Sequence, residues 1–194
     1  MVICKQPEIG AAVQPHQDST FLYTDPPSAV GWWYALEDAT KENGCLSFAA
    51  GSHKRTPIKR RFVRTSNGSE AGTEFIDNDG TQFPTSLQPK QNGGTAPGTP
   101  RSHLHQTSEG SNSNGAQEEH EEKREEVYEI GEVKAGTLVL IHGNILHKSE
   151  RNTSKKSRFI YTFHVIEGKE KYDERNWLQP PEAGFSKLET VLAA

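Results

Sequence analysis

The sequence predicts an all-β core, and three stretches carry that prediction. Val30-Gly31-Trp32-Trp33-Tyr34-Ala35-Leu36 is aromatic and apolar and follows the turn formers Asp25-Pro26-Pro27-Ser28, the pattern of a buried strand entered through a turn. Gly136-Thr137-Leu138-Val139-Leu140-Ile141-His142-Gly143 is a short apolar run bounded by glycines and reads as a core strand. Arg158 to Val165 alternates: Arg158, Ile160, Thr162 and His164 fall on one face, and Phe159, Tyr161, Phe163 and Val165 on the other.

The remaining elements follow in chain order. From Val2 to about Arg64 the pattern is strands and turns, and the acidic turn Glu37 to Gly44 leads into a strand over Cys45 to Ala50, closed by Gly51-Ser52. Lys54, Arg55, Lys59, Arg60, Arg61 and Arg64 form one basic stretch; it reads either as a solvated loop or edge strand, or as a contact for an anionic substrate group. After about Thr65 the composition changes. Residues 77–126 are rich in Gly, Ser, Asn, Thr, Pro and Gln and end in the acidic run Glu118 to Glu126. Such a stretch has too little apolar surface to offset the entropy of ordering it, which predicts a long disordered insertion. His103, His105 and His120 are then solvent-exposed loop histidines.

Order is expected to return at Val127-Tyr128-Glu129-Ile130. The polar turn Glu150 to Ser157 predicts an antiparallel pair in which Arg158 comes back beside the end of the strand carrying His147. Asn176-Trp177-Leu178-Gln179-Pro180-Pro181 reads as an irregular tail held through its tryptophan, followed by a short helix near 187–194. The whole chain, 1–194, is expected to be a single domain with its core in 1–76 and 127–180.

Composition bounds what this domain does. A hydrophobic content of 32% and a mean hydropathy of -0.79 are low for one core in 194 residues, in line with an unfolded part. A net charge of -4 gives no field that would draw in nucleic acid or an anionic membrane. Cys4 and Cys45 are too few and too far apart for a disulfide framework or a paired-cysteine metal cluster. No apolar run approaches the roughly 18 residues of a membrane span, and the first residues lack the apolar core of a signal peptide. These features predict a soluble, intracellular and most simply cytoplasmic protein.

The chemistry is carried by His16-Gln17-Asp18 and the distant His147, with Ser149 two residues on and Arg158 eleven beyond that histidine. Two imidazoles and one carboxylate are the ligand set of a facial iron(II) site with open positions, and a hard anionic oxygen suits iron(II) better than the thiolate-rich sites of structural zinc. His16 and Asp18, two apart in an extended stretch, would face the same way. His-X-Asp alone recurs by chance, but a histidine after an apolar strand that returns through an arginine is a rarer context. The Arg158 guanidinium is permanently charged and forked, suited to a two-point carboxylate contact; the competing reading is a surface charge at a strand end. A structural zinc module is the competing metal reading. His53, His142 and His164 read as core or supporting histidines. Trp32, Phe21 and Tyr23 are candidates to line a pocket or to fill the core.

Pro15-His16-Gln17-Asp18-Ser19-Thr20-Phe21-Leu22-Tyr23-Thr24, Glu37-Asp38-Ala39-Thr40, Glu42-Asn43-Gly44-Cys45-Leu46, Gly51-Ser52-His53, Leu138 to Gly143, His147-Lys148-Ser149, Tyr161-Thr162-Phe163-His164 and Asn176-Trp177-Leu178-Gln179-Pro180 together resemble the phytanoyl-CoA dioxygenase family. The resemblance covers most of the chain outside the insertion. It implies a double-stranded β-helix, the jelly-roll or cupin-like barrel, and an Fe(II)- and 2-oxoglutarate-dependent dioxygenase with ascorbate as reductant. By position it assigns His16, Asp18 and His147 to iron, and Arg158, Ser149, Trp33 and Met1 to the co-substrate. The substrate it implies is a small molecule, lipid- or acyl-CoA-related. It also places further barrel strands ahead of the His-X-Asp motif, so the chain reads as the N-terminally truncated, C-terminal part of such a protein. The alternative it leaves is a catalytically poor metal-binding or regulatory product of the same family.

Overall fold

The computed structural model describes residues 1–67, 70–80, 83 and 126–188. The insertion expected over 77–126, with its three histidines, lies almost wholly outside the described residues, as does the C-terminal helix beyond Leu188.

Two four-stranded antiparallel sheets form the body. The first has the order β1 (Val2–Lys5), β11 (Arg158–Val165), β4 (Val30–Ala35), β9 (Leu138–His142); the second has β2 (Val13–His16), β10 (His147–Ser149), β5 (Leu46–Phe48), β8 (Glu129–Gly131). Trp33, Ala35, Ile141 and Ile160 from the first sheet meet Cys45 and Leu46 from the second in one apolar cluster, with Phe48, Val139 and Ile145 packed against it. Apart from β5 and β8, which pair within the second sheet, successive strands of the two sheets alternate between them, which is the double-stranded β-helix architecture. Closing the two sheets over a shared core lets each strand alternate inward apolar and outward polar residues. Two smaller ribbons complete the described residues: β3 (Thr24–Asp25) with β12 (Lys171–Tyr172), and the hairpin of β6 (Arg60–Asn67) with β7 (Glu70–Asp77).

β11 alternates as expected, with Arg158, Ile160 and Thr162 buried and Phe159 and Tyr161 exposed. Four expectations require correction. β4 is not buried on both faces: Gly31, Trp33 and Ala35 point inward while Val30, Trp32 and Tyr34 are only half-buried. Nor is β9 buried along its length: it supplies Ile141 to the core and packs Val139 against it, but it lies at the sheet edge beyond β4 and Leu140 is 58% exposed. β10 and β11 do not pair with each other. β10 lies between β2 and β5, and β11 between β1 and β4, so the polar turn carries the chain from one sheet to the other.

The tail, fourthly, is held by more than its tryptophan: Trp177 rests on the Phe62 ring at 6.1 Å but is 42% exposed, whereas Asn176 is 0% exposed. Asn176 Nδ2 donates to the Tyr23 carbonyl at 2.8 Å and its Oδ1 accepts from Arg61 at 3.3 Å. A primary amide satisfies a donor and an acceptor at once, which an indole cannot do.

The basic stretch divides along the strand. Lys54, Arg55, Lys59, Arg60 and Arg64 are exposed, whereas Arg61 is fully buried. Its guanidinium lies 4.3 Å above the Tyr23 ring and pairs with Asp173 at 2.8 Å. Arg61 is therefore an internal brace between β6 and the segment after β12.

Candidate metal and carboxylate site

Strand pairing brings the candidate metal ligands together. His16 ends β2 and His147 begins β10, and the two are direct register partners with ring centroids 4.2 Å apart. Asp18 lies just past β2 in a 3-10 turn, Asp18–Thr20, rather than on the strand itself. Gln17 between them is extended (φ -115°, ψ 130°), so the alternation carries through and Asp18 still faces His16. Asp18 Oδ1 lies 3.6 Å from His16 Nε2 and 3.7 Å from His147 Nε2. One ligand atom from each of the three residues lies within 4.8 Å of the others.

The neighbours hold this arrangement from the opposite side. Gln17 Nε2 donates to the carbonyls of Thr56 and Asn144, and Ser19 Oγ donates to Asn144 Oδ1 at 2.6 Å. The residues between and beside the ligands thus anchor the turn while the ligands face inward.

Tautomers follow from the backbone. His16 Nδ1 sits 2.8 Å from the Gln14 carbonyl, and His147 Nδ1 sits 3.1 Å from that of Ile145. A carbonyl can only accept, so each Nδ1 is the donor and each neutral ring turns its Nε2 lone pair toward Asp18. Two lone pairs converging on a carboxylate fit a cation between them, and the donor set of two nitrogens and one oxygen suits a divalent transition metal.

Electrostatics sharpen the cluster. Burial works to raise the Asp18 pKa, but the His16, His164 and His147 imidazoles around it outweigh this and hold the carboxyl well below the usual carboxylate range. Burial pushes His147 down, favouring the neutral ligand form. For His16 burial is opposed by the Asp18 carboxylate and the Gln14 carbonyl, which raise it.

His164 completes the surroundings. Its Nε2 lies 3.1 Å from Asp18 Oδ2, the oxygen not shared by the other two histidines, so it orients the carboxylate from behind. Gly31 on β4 leaves room for this contact, since a Cβ there would lie 3.1 Å from Asp18 Oδ2 and 3.3 Å from Ile141. His53 and His142 form a separate pair with ring centroids 5.0 Å apart.

Three of the four residues expected at the co-substrate, Trp33, Ser149 and Arg158, occupy the inner faces of β4, β10 and β11. Arg158 and Ser149 are both 3% exposed and Trp33 is 5% exposed. The Arg158 guanidinium carbon lies 5.6 Å over the Trp33 ring; Trp33 pairs in register with Thr162, so the arginine reaches forward along β11 toward the level of Thr162. Ser149 is two residues from His147, on the same buried face of β10. Met1 is 68% exposed, and its ammonium donates to the Thr162 carbonyl at 2.6 Å. Of the aromatic candidates, Phe21 approaches the His16 ring at 6.0 Å. Tyr23 is enclosed beneath Arg61, and Trp32 stacks on Phe163 on the opposite face of β4.

Sequence reading missed Lys5, which is 4% exposed and pairs in register with Arg158. A single lysine at the end of Val2-Ile3-Cys4-Lys5 carries no local signal, because a strand ending in lysine ordinarily points it at water. The role of Gly44 was equally hidden. Its φ of 79° is left-handed, its carbonyl accepts from Arg158, and a Cβ on it would fall 2.3 Å from the Glu150 carbonyl oxygen. Gly44→Ala is expected to destabilise the fold by about 2–4 kcal/mol, from backbone strain plus the clash. Urea unfolding monitored by tryptophan fluorescence checks this, and a loss below about 0.5 kcal/mol would show that the turn relaxes freely.

The double-stranded β-helix is of the jelly-roll class, and its His-Asp-His cluster at the meeting of β2 and β10 has the donor set to hold a metal ion. The phytanoyl-CoA dioxygenase (PhyH) family model matches residues 1–160, and the chain belongs to this family. It is 40% identical over 193 residues to phytanoyl-CoA dioxygenase domain-containing protein 1 of Bos taurus, covering 98% of this chain and 52% of that protein. It is also 40% identical over 185 residues to the Caenorhabditis elegans homolog, covering 94% and 50%. The chain thus spans about half the length of the curated relatives it matches. Among solved structures, the non-heme alpha ketoglutarate dependent carbocyclase SnoK from nogalamycin biosynthesis shares the fold, with a TM-score of 0.50 at 18% identity, covering 92% of this chain and 51% of that one. Among the described residues no helix is long and apolar enough to cross a membrane.

Proposed function

We propose that this chain carries the site of an Fe(II)- and 2-oxoglutarate-dependent dioxygenase, which couples oxidative decarboxylation of 2-oxoglutarate to succinate with hydroxylation of a small substrate. The observation that carries this reading is the register pairing of His16 with His147, which sets two Nε2 atoms within 3.7 Å of one buried carboxylate oxygen. Membership of the family supports it. His16, Asp18 and His147 would hold the iron, with His164 orienting Asp18. Iron(II) supplies dioxygen activation there when bound.

The protein's own residues bind, orient and exclude water. Arg158 takes the distal carboxylate of 2-oxoglutarate with Ser149 as a second donor, and Trp33 forms an apolar floor beneath the guanidinium. Met1 is a further co-substrate contact in this reading. Burial of Arg158 and Ser149 strengthens each contact by removing competing water. Ascorbate serves as reductant. The substrate class, lipid- or acyl-CoA-related, rests on the family's name alone.

Succinate production from 2-oxoglutarate with iron(II) and ascorbate tests the reading. The intact chain is expected to exceed background, and His16→Ala and Arg158→Ala are each expected to fall to it. Equal rates for all three would sink the enzymatic reading of this chain.

A further inference from the structure

One turn ties both arms of the candidate metal cluster, and His142 closes it. Residues 142–145 join β9 to β10, with Ile145 N donating to the His142 carbonyl at 2.9 Å. Asn144 is 5% exposed and ties the residues on both sides of Asp18: its carbonyl accepts from Gln17 Nε2 at 2.8 Å, and its Oδ1 from Ser19 Oγ at 2.6 Å. The Gly143 carbonyl adds a third tie, accepting from Ser19 N at 2.9 Å. On the other arm, the Ile145 carbonyl fixes His147 Nδ1. A shift of this turn therefore moves the carboxylate and one imidazole ligand together.

A titratable ring makes the turn's second closure. The Asn144 N–H donates to His142 Nδ1 at 3.1 Å. A backbone N–H can only donate, so Nδ1 holds a lone pair and His142 is neutral, with its proton on Nε2. His16 and His147 are the reverse, since their Nδ1 atoms donate and their Nε2 lone pairs face Asp18. Protonating His142 would set one N–H against another. The ring reaches solvent, so protons have access to it.

We propose that neutral His142 is a positioning residue of the metal centre, holding the turn in the shape that brings Asp18 and His147 to one ion, and that its protonation releases them. This rests on the reading of His16, Asp18 and His147 as metal ligands. The titratable group facing the ring is His53 from the 3-10 turn Ser52–Lys54, with ring centroids 5.0 Å apart; Val30, its register partner on β4, is uncharged. Partial burial and the His53 charge push His142 below its ordinary value of 6.5. The holding form is therefore complete at neutral pH and is lost as pH falls below that value.

Cobalt(II) titrations followed by the metal's visible absorption test this, with Asp18→Asn as control. His142→Leu removes the acceptor. His142→Asn keeps one, because the asparagine Oδ1 stands where the histidine Nδ1 does and does not titrate. At pH ~7.5 His142→Leu is expected to bind about tenfold more weakly than the intact chain, the lower end for a residue that orients ligands, and His142→Asn within about twofold of it. Between pH ~7.5 and ~5 every chain loses affinity as the ligand histidines protonate, but the intact chain should lose at least about threefold more than His142→Asn. Parallel pH profiles for those two overturn the proposal, as does a His142→Asn chain that binds no better than His142→Leu or does not fold. Should His142→Leu not fold, the intact chain and His142→Asn decide between them. If His142→Leu binds like the intact chain while Asp18→Asn binds weakly, the ligands stand and His142 alone falls. If Asp18→Asn leaves the affinity unchanged, the metal reading falls and the positioning role with it.

Discussion

Asp18→Asn is expected to weaken divalent transition-metal binding by at least about 100-fold while leaving the fold intact. The magnitude is a lower bound, because loss of a residue that merely orients a ligand already costs 10–100-fold. Asp18 is the carboxylate shared by His16, His147 and His164, with contacts of 3.6, 3.7 and 3.1 Å. Asparagine keeps the volume but presents a neutral oxygen or an amide, and the cluster is left with neutral nitrogens as its principal donors. Competition against a chromogenic chelator gives the affinity, and circular dichroism confirms that the sheets persist. An unchanged affinity would mean that metal binds elsewhere on the chain.

Arg61→Met should be the most damaging substitution outside the site, with a loss of about 3 kcal/mol. Removing one partner of a buried ion pair typically costs 3–5 kcal/mol, and the lower end applies because Asp173 is 18% exposed and retains Arg175. The substitution also removes the cation over Tyr23 and one donor to Asn176. The loss should depend on pH. Burial alone would raise the Asp173 pKa, but hydrogen bonds from Arg61 and Arg175 dominate and hold it well below the usual carboxylate range. Between that depressed value and the unfolded value of about 3.9, the unfolded chain binds more protons, so stability rises with pH there. The contribution is complete above the unfolded value and fades as pH falls through the folded one. Urea midpoints of the intact chain are therefore expected to be flat from neutral pH to about 5 and to fall below about 4, with a shallower fall in Arg61→Met. Parallel profiles would show that the pair does not couple to folding.

The correct and the corrected expectations differ in the range of interaction each needed. Alternation along Arg158 to Val165 survives in β11 because a period of two is a property of the extended backbone itself. Apolar content could not distinguish a central strand from an edge one, and β9 with its exposed Leu140 is the result. The same limit applies to charge. Arg61 and Arg60 are neighbours in one basic stretch, yet the first is enclosed and the second exposed, because adjacent strand residues face opposite ways and only the position of Asp173 and Tyr23 makes one face tenable for a cation.

Within the candidate site, His16, Asp18 and His147 were legible because their residue types and their spacing carry the chemistry. Their convergence was not. It depends on β2 pairing with β10 in a register that sets His16 opposite His147, across 131 positions of chain (147 - 16). Lys5 and His164 show the same dependence: one acquires its meaning from Arg158 across a strand pair, the other from Asp18 beneath Gly31.

The sequence by itself determined the all-β class, the strand faces of β11, the ligand types and the arginine suited to a carboxylate. Local stereochemistry and side-chain chemistry are sufficient for each of these. Only the tertiary structure decided which strands share a sheet, which cations are buried, and that Lys5 stands against Arg158. Register and burial arise from contacts between residues far apart in the chain, and no local pattern encodes the partner that a side chain will meet.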